Sequence, residues 1–225
     1  MRLLAALLIS LTLAACGRPL APAEAELATR LFGDTLDAGR VRLVENPLIG
    51  LTTREYPTRP RVTCRERIRP ADTAPSFTAR TAGMVLGNLI QLRPDIHRDD
   101  YAARVDGAAS LAAVMFLAHE LTHVWQWQNR ALTGYTPLRA AFEHVGGDDP
   151  YLFDPETPVR FLDMGYEQQA SLVEEYICCT VIDPQGARTQ RLRATLAEVM
   201  PVQTRILERP VLIPRPDAPP PGLCS

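Results

Sequence analysis

The amino-acid sequence predicts an α+β protein, because segments with helical periodicity and segments typical of short strands both occur along the chain. The clearest helix covers about residues 108–129 and is apolar nearly all round, so we expect it to be central and buried. Residues 81–92 are typical of one or two strands. With 225 residues, 46% of them hydrophobic, the chain can form one compact domain with a sizeable core.

The remaining elements follow from apolar spacing and from proline. The spacing predicts a helix over about residues 20–38 and a short strand at residues 41–44. Residues 46–76 are rich in proline, threonine and arginine, which predicts loops and short strands. After the central helix, we expect a loop region with a short helix near residues 138–144, followed by helices at residues 161–181 and 186–207, the last with a break at Pro201.

Residues 1–15, MRLLAALLISLTLAA, have the pattern of a lipoprotein signal peptide, with an apolar run too short for a permanent membrane helix. The ending LAAC resembles a lipobox, which implies cleavage before Cys16, lipidation of its sulfur and membrane attachment through that lipid. The alternative is plain secretion with Cys16 as an ordinary thiol. Because Gly17 follows instead of aspartate, resemblance to Gram-negative lipoproteins favours the outer membrane, facing the periplasm.

The predicted organisation is therefore a short linker from lipidated Cys16 over residues 16–24, a domain over residues 25–208 and a proline-rich tail over residues 209–225. The formal net charge of -2, without a basic cluster, gives no electrostatic reason to expect a nucleic-acid partner.

Four cysteines remain after Cys16, and an even number in an oxidising compartment predicts two disulfides. They are Cys64, Cys178, Cys179 and Cys224. A bond between the two adjacent cysteines would close a strained ring, so we expect two long-range bridges. Which of the adjacent cysteines pairs with Cys64 stays open.

The stretch HELTH, from His119 to His123, carries the predicted chemistry. Residues four apart lie on one face of a helix, so both imidazoles can bind a single ion. Zinc accepts nitrogen ligands of this kind, and catalytic sites add a third protein ligand and an open water position. The carboxylate of Glu120, beside that position, can accept a proton from water.

A third ligand is expected from another helix. Gln126 and Asn129 stand where a metzincin has glycine and its third histidine, so that arrangement is excluded. In GYEQQASLVEEY, residues 165–176, Glu167 is the predicted ligand and Glu174 the alternative, as ligand or as acceptor for an imidazole N–H. Glu175 is expected to face solvent.

Several motifs together resemble the zincin-like metallopeptidases called Vgr-related proteins, akin to the core zincin domain of bacterial contractile injection systems. These motifs are HELTHVWQWQ, the preceding TAGMVLGNLIQL, the later YEQQA and FGDTLDAGRVRLV near Phe32. The resemblance implies a gluzincin-like α+β fold, in which a small mixed sheet packs on the HExxH helix beside further helices. It also implies that Met84–Leu92 borders a peptide cleft, that His119, His123 and Glu167 bind zinc, and that Glu120 is the general base.

The sequence thus supports two hypotheses. In the first, the protein is an envelope-anchored zinc metallopeptidase that hydrolyses a peptide or protein substrate with a metal-activated water. His144 and Tyr151 are candidates to donate hydrogen bonds to the oxyanion, although each can equally be an ordinary loop residue. In the second, the protein is a non-enzymatic envelope lipoprotein whose zinc site is structural or vestigial and whose surface binds a partner. Structural zinc sites have four protein ligands, so a fourth ligand would favour this alternative.

Overall fold

A computed structural model describes residues 17–70, 73–104, 106–145, 149–214 and 222–225. The predicted signal peptide and Cys16 lie outside these residues. Within them, no helix is both long and apolar enough to cross a membrane.

A three-stranded mixed sheet lies on one side of the domain. It is formed by β1 (Arg42–Glu45), β4 (Gly83–Leu86) and β5 (Leu89–Leu92), in the order β1-β5-β4. The two strands β4 and β5 form a tight antiparallel hairpin, and β5 runs parallel to β1. Gly87 in the hairpin turn has a φ of 66°, which glycine adopts without steric cost. The segment at residues 81–92 is therefore two strands, and β4 is an edge strand of this sheet.

A separate antiparallel pair is formed by β2 (Thr53–Pro57) and β3 (Ser76–Arg80). Between them lies the four-residue helix α2 (Cys64–Arg67). Its first turn is closed by Glu66, whose carboxylate accepts the main-chain N–H of Thr63 at 2.9 Å.

Two long helices form the centre of the domain, α3 (Leu111–Gln128) and α6 (Tyr166–Ile182). They pack directly against each other, and most residues of both are buried. Around them lie α1 (Pro22–Phe32), α4 (Arg130–Thr133), α5 (Pro137–Phe142) and α7 (Ala187–Leu196). The sheet covers α3 on another side through β4 and β5. The prediction of an α+β class with a buried central helix is confirmed.

Three predicted helices are shorter than expected, and the first of them ends at Phe32 and not near residue 38, with Gly33 as its C-cap. Residues 161–163 form a 3-10 turn, and α6 begins only at Tyr166 because Gly165 is the extended N-cap. The last helix ends at Leu196, already before the break predicted at Pro201, and does not resume towards residue 207. Beyond Pro201 the chain extends, and β7 (Val211–Leu212) pairs in parallel with β6 (Ala109–Ser110) just before α3. No sequence pattern predicted that two-residue pairing.

Two disulfides join distant segments to the C-terminal part of α6. Cys64 bonds to Cys178 and Cys179 bonds to Cys224, so the prediction of two long-range bridges is confirmed. The first bridge attaches α2 to α6, and the second attaches the C-terminal segment to it. The predicted domain boundaries stay predictions. Within the predicted linker, the main chain of Arg18 forms hydrogen bonds of 2.8 Å with the main chain of Leu43.

Candidate metal centre

Two histidines of α3 and one glutamate of α6 converge at the contact between these helices. Nε2 of His119 lies 3.0 Å from Oε2 of Glu167 and 3.1 Å from Nε2 of His123. Nε2 of His123 lies 3.3 Å from the same carboxylate oxygen. All three side chains are buried. The structure thus brings together the three residues that the sequence predicted as ligands.

These three atoms fit a metal ion. At metal–ligand distances of about 2.0–2.1 Å, neighbouring ligand atoms of a tetrahedral zinc site are about 3.3 Å apart. The sides of this triangle, 3.0, 3.1 and 3.3 Å, are close to that value. Two imidazoles and a carboxylate are also a donor set that zinc accepts. The group could therefore hold a metal ion.

The remaining ring nitrogen of His123 is held by an amide. Nδ1 of His123 lies 2.8 Å from Oε1 of Gln126, one turn further along α3. The amide nitrogen of Gln126 donates to Oε1 of Gln169 at 2.9 Å and to the main-chain oxygen of Tyr166 at 3.0 Å. Because that nitrogen is engaged, the oxygen must accept from His123, so Nδ1 carries the proton and Nε2 is free for a metal. This role of Gln126 was not predicted, although its i, i+3 spacing from His123 on α3 is a signal for it.

Glu174 has the corresponding position at His119. Its Oε1 lies 2.7 Å from Nδ1 of His119. Its Oε2 accepts from Arg65 at 2.8 Å. Burial opposes its ionisation, but Arg65 and His119 outweigh burial and lower the pKa of Glu174 to about 2. Glu174 is therefore an acceptor behind the ligand, one of the two roles predicted for it.

Glu167 is fixed from the side opposite its ligand oxygen. Its Oε1 lies at hydrogen-bond distance, 3.0 Å, from Nε2 of His144. The carboxylate of Glu143 accepts the main-chain N–H groups of Tyr166 and Glu167 at 2.8 and 3.0 Å, which caps the first turn of α6. Burial opposes ionisation of Glu167, yet the surrounding histidines hold its pKa well below the usual value.

Glu120 lies next to the ligand triangle, against the edge strand. A Cβ on Gly83 of β4 would lie only 2.5 Å from Oε1 of Glu120, so a larger residue there would displace the carboxylate. Burial raises the pKa of the Glu120 carboxyl, although His119 and His123 act against it. Among the residues that the structure describes, none donates a hydrogen bond to this carboxylate. A buried carboxylate with a raised pKa can accept a proton from water and release it again.

Two tyrosines border the centre. The ring of Tyr151 lies 5.8 Å from that of His119, and the ring of Tyr135 lies 6.3 Å from that of His123. Burial raises the pKa of Tyr151, so its hydroxyl stays protonated at neutral pH. Tyr151 thus remains a candidate donor to the oxyanion, whereas the position of Tyr135 beside the centre was not predicted.

The expectation that Glu175 faces solvent is wrong. Its side chain is buried, where it accepts the main-chain N–H of Cys64 at 2.6 Å and pairs with Arg188 at 3.1 Å. Burial raises the pKa of Glu175 to about 7, although the Cys64 N–H and Arg188 act against this. The adjacent residues Glu174 and Glu175 therefore have separate roles on α6: Glu174 contacts His119, and Glu175 accepts the N–H of Cys64 in α2.

No protein-family model matches the chain, and no curated protein matches it in sequence. Among solved structures, the effector domain of Pseudomonas aeruginosa VgrG2b superposes with a TM-score of 0.51 at 24% sequence identity. The match covers 83% of this chain and 85% of that one. The chain has a fold similar to that effector domain. At this identity the likeness concerns the fold, and it agrees with the Vgr-related resemblance only to that extent.

Proposed function

We propose that the protein is a zinc-dependent peptidase of the bacterial cell envelope. The observation that carries this proposal is the ligand triangle of His119, His123 and Glu167 with the carboxylate of Glu120 beside it. A zinc ion held there would polarise a carbonyl group and make water more acidic.

The protein groups then have distinct tasks in hydrolysis. Glu120 accepts a proton from the attacking water and delivers it to the leaving amine, which its raised pKa favours. The protonated hydroxyl of Tyr151 is a candidate donor to the oxyanion, and Gln126 and Glu174 orient the two imidazoles.

The edge strand β4 offers a binding surface for an extended peptide. Its residues Met84 and Leu86 are 47% and 42% exposed, and within the described residues β4 pairs only with β5. A peptide that pairs with this edge would pass in front of Glu120, which lies against Gly83 of the same strand.

The envelope location rests on two observations of different kinds. The signal-like N-terminus and lipobox-like Cys16 support export and anchoring. Two disulfides in the domain are typical of an oxidising compartment such as the periplasm. We therefore propose a lipid-anchored protein of the outer membrane that faces the periplasm.

The contacts around the centre do not favour the alternative of a structural zinc site. Glu174 lies at Nδ1 of His119, and His144 lies at Oε1 of Glu167. Both candidates for a fourth ligand thus contact a ligand residue, which leaves a metal position with three protein ligands among the residues described.

Metal content and cleavage of a peptide library by the purified protein test the proposal. We expect about one zinc per chain, absent from His123→Ala, because each of three ligands is needed for tight binding. Glu120→Gln should keep zinc and lose at least about a hundredfold in kcat, since the proton acceptor is gone. A zinc-loaded Glu120→Gln protein that cleaves like the unchanged one would refute the mechanism.

A further inference from the structure

A cavity of about 420 Å³ adjoins the metal centre. Its floor is formed by Ala112, Met115 and Phe116, which precede His119 on α3. Phe77 of β3 adds an aromatic wall. A side chain that enters the cavity can therefore bury its methylene groups against apolar surface.

The rest of the lining has four arginines and two glutamates, Glu66 and Glu174, so positive charge is in excess. Four arginines from the region around α2 face the cavity: Arg59, Arg61, Arg65 and Arg69. Two of them already have carboxylate partners. Arg65 pairs with Glu174 at 2.8 Å, and Arg59 donates to Asp149 at 2.8 Å. These ion pairs hold the two arginine side chains in place, and the carboxylates compensate the arginine charge that could otherwise attract a ligand.

Arg61 differs from those two because its contacts are neutral. It is half-buried, and its Nη2 donates to the main-chain oxygens of Arg69 at 2.7 Å and Arg67 at 3.2 Å. Carbonyl oxygens hold a guanidinium in place without compensating its charge. Among the residues that the structure describes, Arg61 has no carboxylate within ion-pair distance. A half-buried cation of this kind favours an anion from outside.

Two residues of the cavity lining also contact residues at the metal centre. Glu174 lines it with one oxygen near Arg65, while its other oxygen contacts His119. On a second side, the Arg59 guanidinium lies 5.1 Å from the ring centre of Tyr151, which in turn borders His119. A peptide bound at the centre would therefore lie near the cavity, on the side of His119 where Glu174 and Tyr151 lie.

We propose that this cavity binds a carboxylate of a bound peptide, with Arg61 as the residue that recognises it. The carboxylate can belong to an acidic side chain next to the scissile bond or to the C-terminus of the peptide. The inference rests on the proposed peptidase function and names its substrate class. An acidic side chain fits both parts of the cavity, because its methylenes meet the apolar floor and its carboxylate meets Arg61.

Binding of three labelled peptide pools to the zinc-loaded Glu120→Gln chain tests this, because that variant should bind without cleaving. The pools have blocked N-termini and degenerate flanking positions without acidic residues. The first has a central glutamate and an amidated C-terminus, the second a central glutamine and the same amide, and the third a central glutamine and a free carboxylate. Fluorescence anisotropy gives the dissociation constants.

We expect one carboxylate pool to bind about tenfold tighter than the amide pool, as a charge-assisted hydrogen bond allows. Arg61→Gln should abolish this preference, and Arg61→Lys should keep part of it. Arg205→Gln is the matched control, because Arg205 is 75% exposed and lies outside the cavity lining. Zinc content verifies that each variant is folded.

The two carboxylate pools distinguish a side chain from a C-terminus as the ligand. Equal binding of all three pools, or a preference that survives Arg61→Gln, would overturn the proposal. Failure of the proposed peptidase function is a separate result. If the zinc-loaded unchanged protein cleaves none of the pools while the preference depends on Arg61, the carboxylate site stands and the peptidase proposal fails.

Discussion

The metal centre and the arginine-lined cavity are neighbours, but the chain forms them in different ways. The centre takes its ligands from two long helices, and two of them come from a single turn of α3. The cavity takes its charges from the β2–α2 region, which has little regular structure and is bonded to α6 by the disulfide at Cys64. The metal centre thus depends mainly on the geometry of two helices, whereas the cavity depends on a segment that a long-range disulfide holds in place.

One ion pair and one cation–π contact, of Arg59 with the ring of Tyr151, connect the two regions. Arg65 of α2 donates to Glu174, whose other oxygen contacts His119. Apart from this contact, the ligands are oriented by groups of α3, α6 and the segment around α5, such as Gln126 and Glu143. The two regions should therefore respond separately to most substitutions.

Removal of the Cys64–Cys178 bridge should have the largest effect and should act on the cavity. For the Cys64→Ala, Cys178→Ala double variant, we expect a loss of about 2–5 kcal/mol in the free energy of unfolding, because the bridge closes a long loop. The preference for carboxylate peptides should also fall, while zinc content stays the same. Urea denaturation, anisotropy and metal analysis measure these quantities.

The second bridge provides the control for that experiment. The Cys179→Ala, Cys224→Ala double variant should also lose stability, since its loop is long as well, but it should keep the carboxylate preference. If loss of the first bridge removes zinc as well, the two regions are not separable and the comparison fails.

A smaller effect is expected from Glu175, which lies beneath α2 and contacts none of the ligands. Its pKa is raised to about 7 in the folded protein, so the folded state keeps a proton that the unfolded state has lost. The contribution of the Glu175 carboxyl group to the free energy of unfolding therefore falls as pH rises from about 4.5 to about 7. Glu66 adds to the rise in pKa, whereas Arg188 opposes it.

Denaturation of the unchanged protein and of Glu175→Gln at pH 5 and pH 8 measures this contribution. Relative to the variant, the unchanged protein should be less stable at pH 8 than at pH 5 by about 1–3 kcal/mol. Arg188 keeps Glu156 as a partner in the variant, so the comparison is not dominated by an unpaired cation. A difference of the opposite sign would mean that the Glu175–Arg188 pair stabilises the charged form.

The smallest effect is expected from Gly83→Ala, which should act on the centre alone. The added Cβ would displace the Glu120 carboxylate, so we expect kcat to fall about tenfold, or about 1.4 kcal/mol in activation free energy, with zinc retained. Gly39→Ala is the control, because its Cβ would meet only Asp37 at 3.3 Å. Unchanged kcat in Gly83→Ala would show that Glu120 has room to move without loss of function.

The metal centre could be predicted from the sequence in large part, whereas the cavity could not, because the chain forms them in different ways. His119, Glu120 and His123 were predictable because helix geometry relates them over five residues. Glu167 was predictable only as one of several acids, since no local spacing joins α6 to α3. The cavity was not predicted at all, because Arg61 and Phe77 come together only through the tertiary fold. The Glu175 prediction failed for a related reason: burial beneath α2 depends on a bridge whose partner could not be assigned.

The adjacent cysteines of α6 have a consequence for how the protein must be produced. In an unfolded chain, Cys178 and Cys179 are chemically alike, and Cys64 has no basis to prefer one of them. Once α6 forms, neighbouring residues point about 100° apart, so only one thiol is directed at each partner. Correct bridges therefore require the helix to exist before the thiols are oxidised. Rapid oxidation of denatured chains should yield swapped isomers, whereas slow oxidation of folded, reduced chains should yield the native pairs.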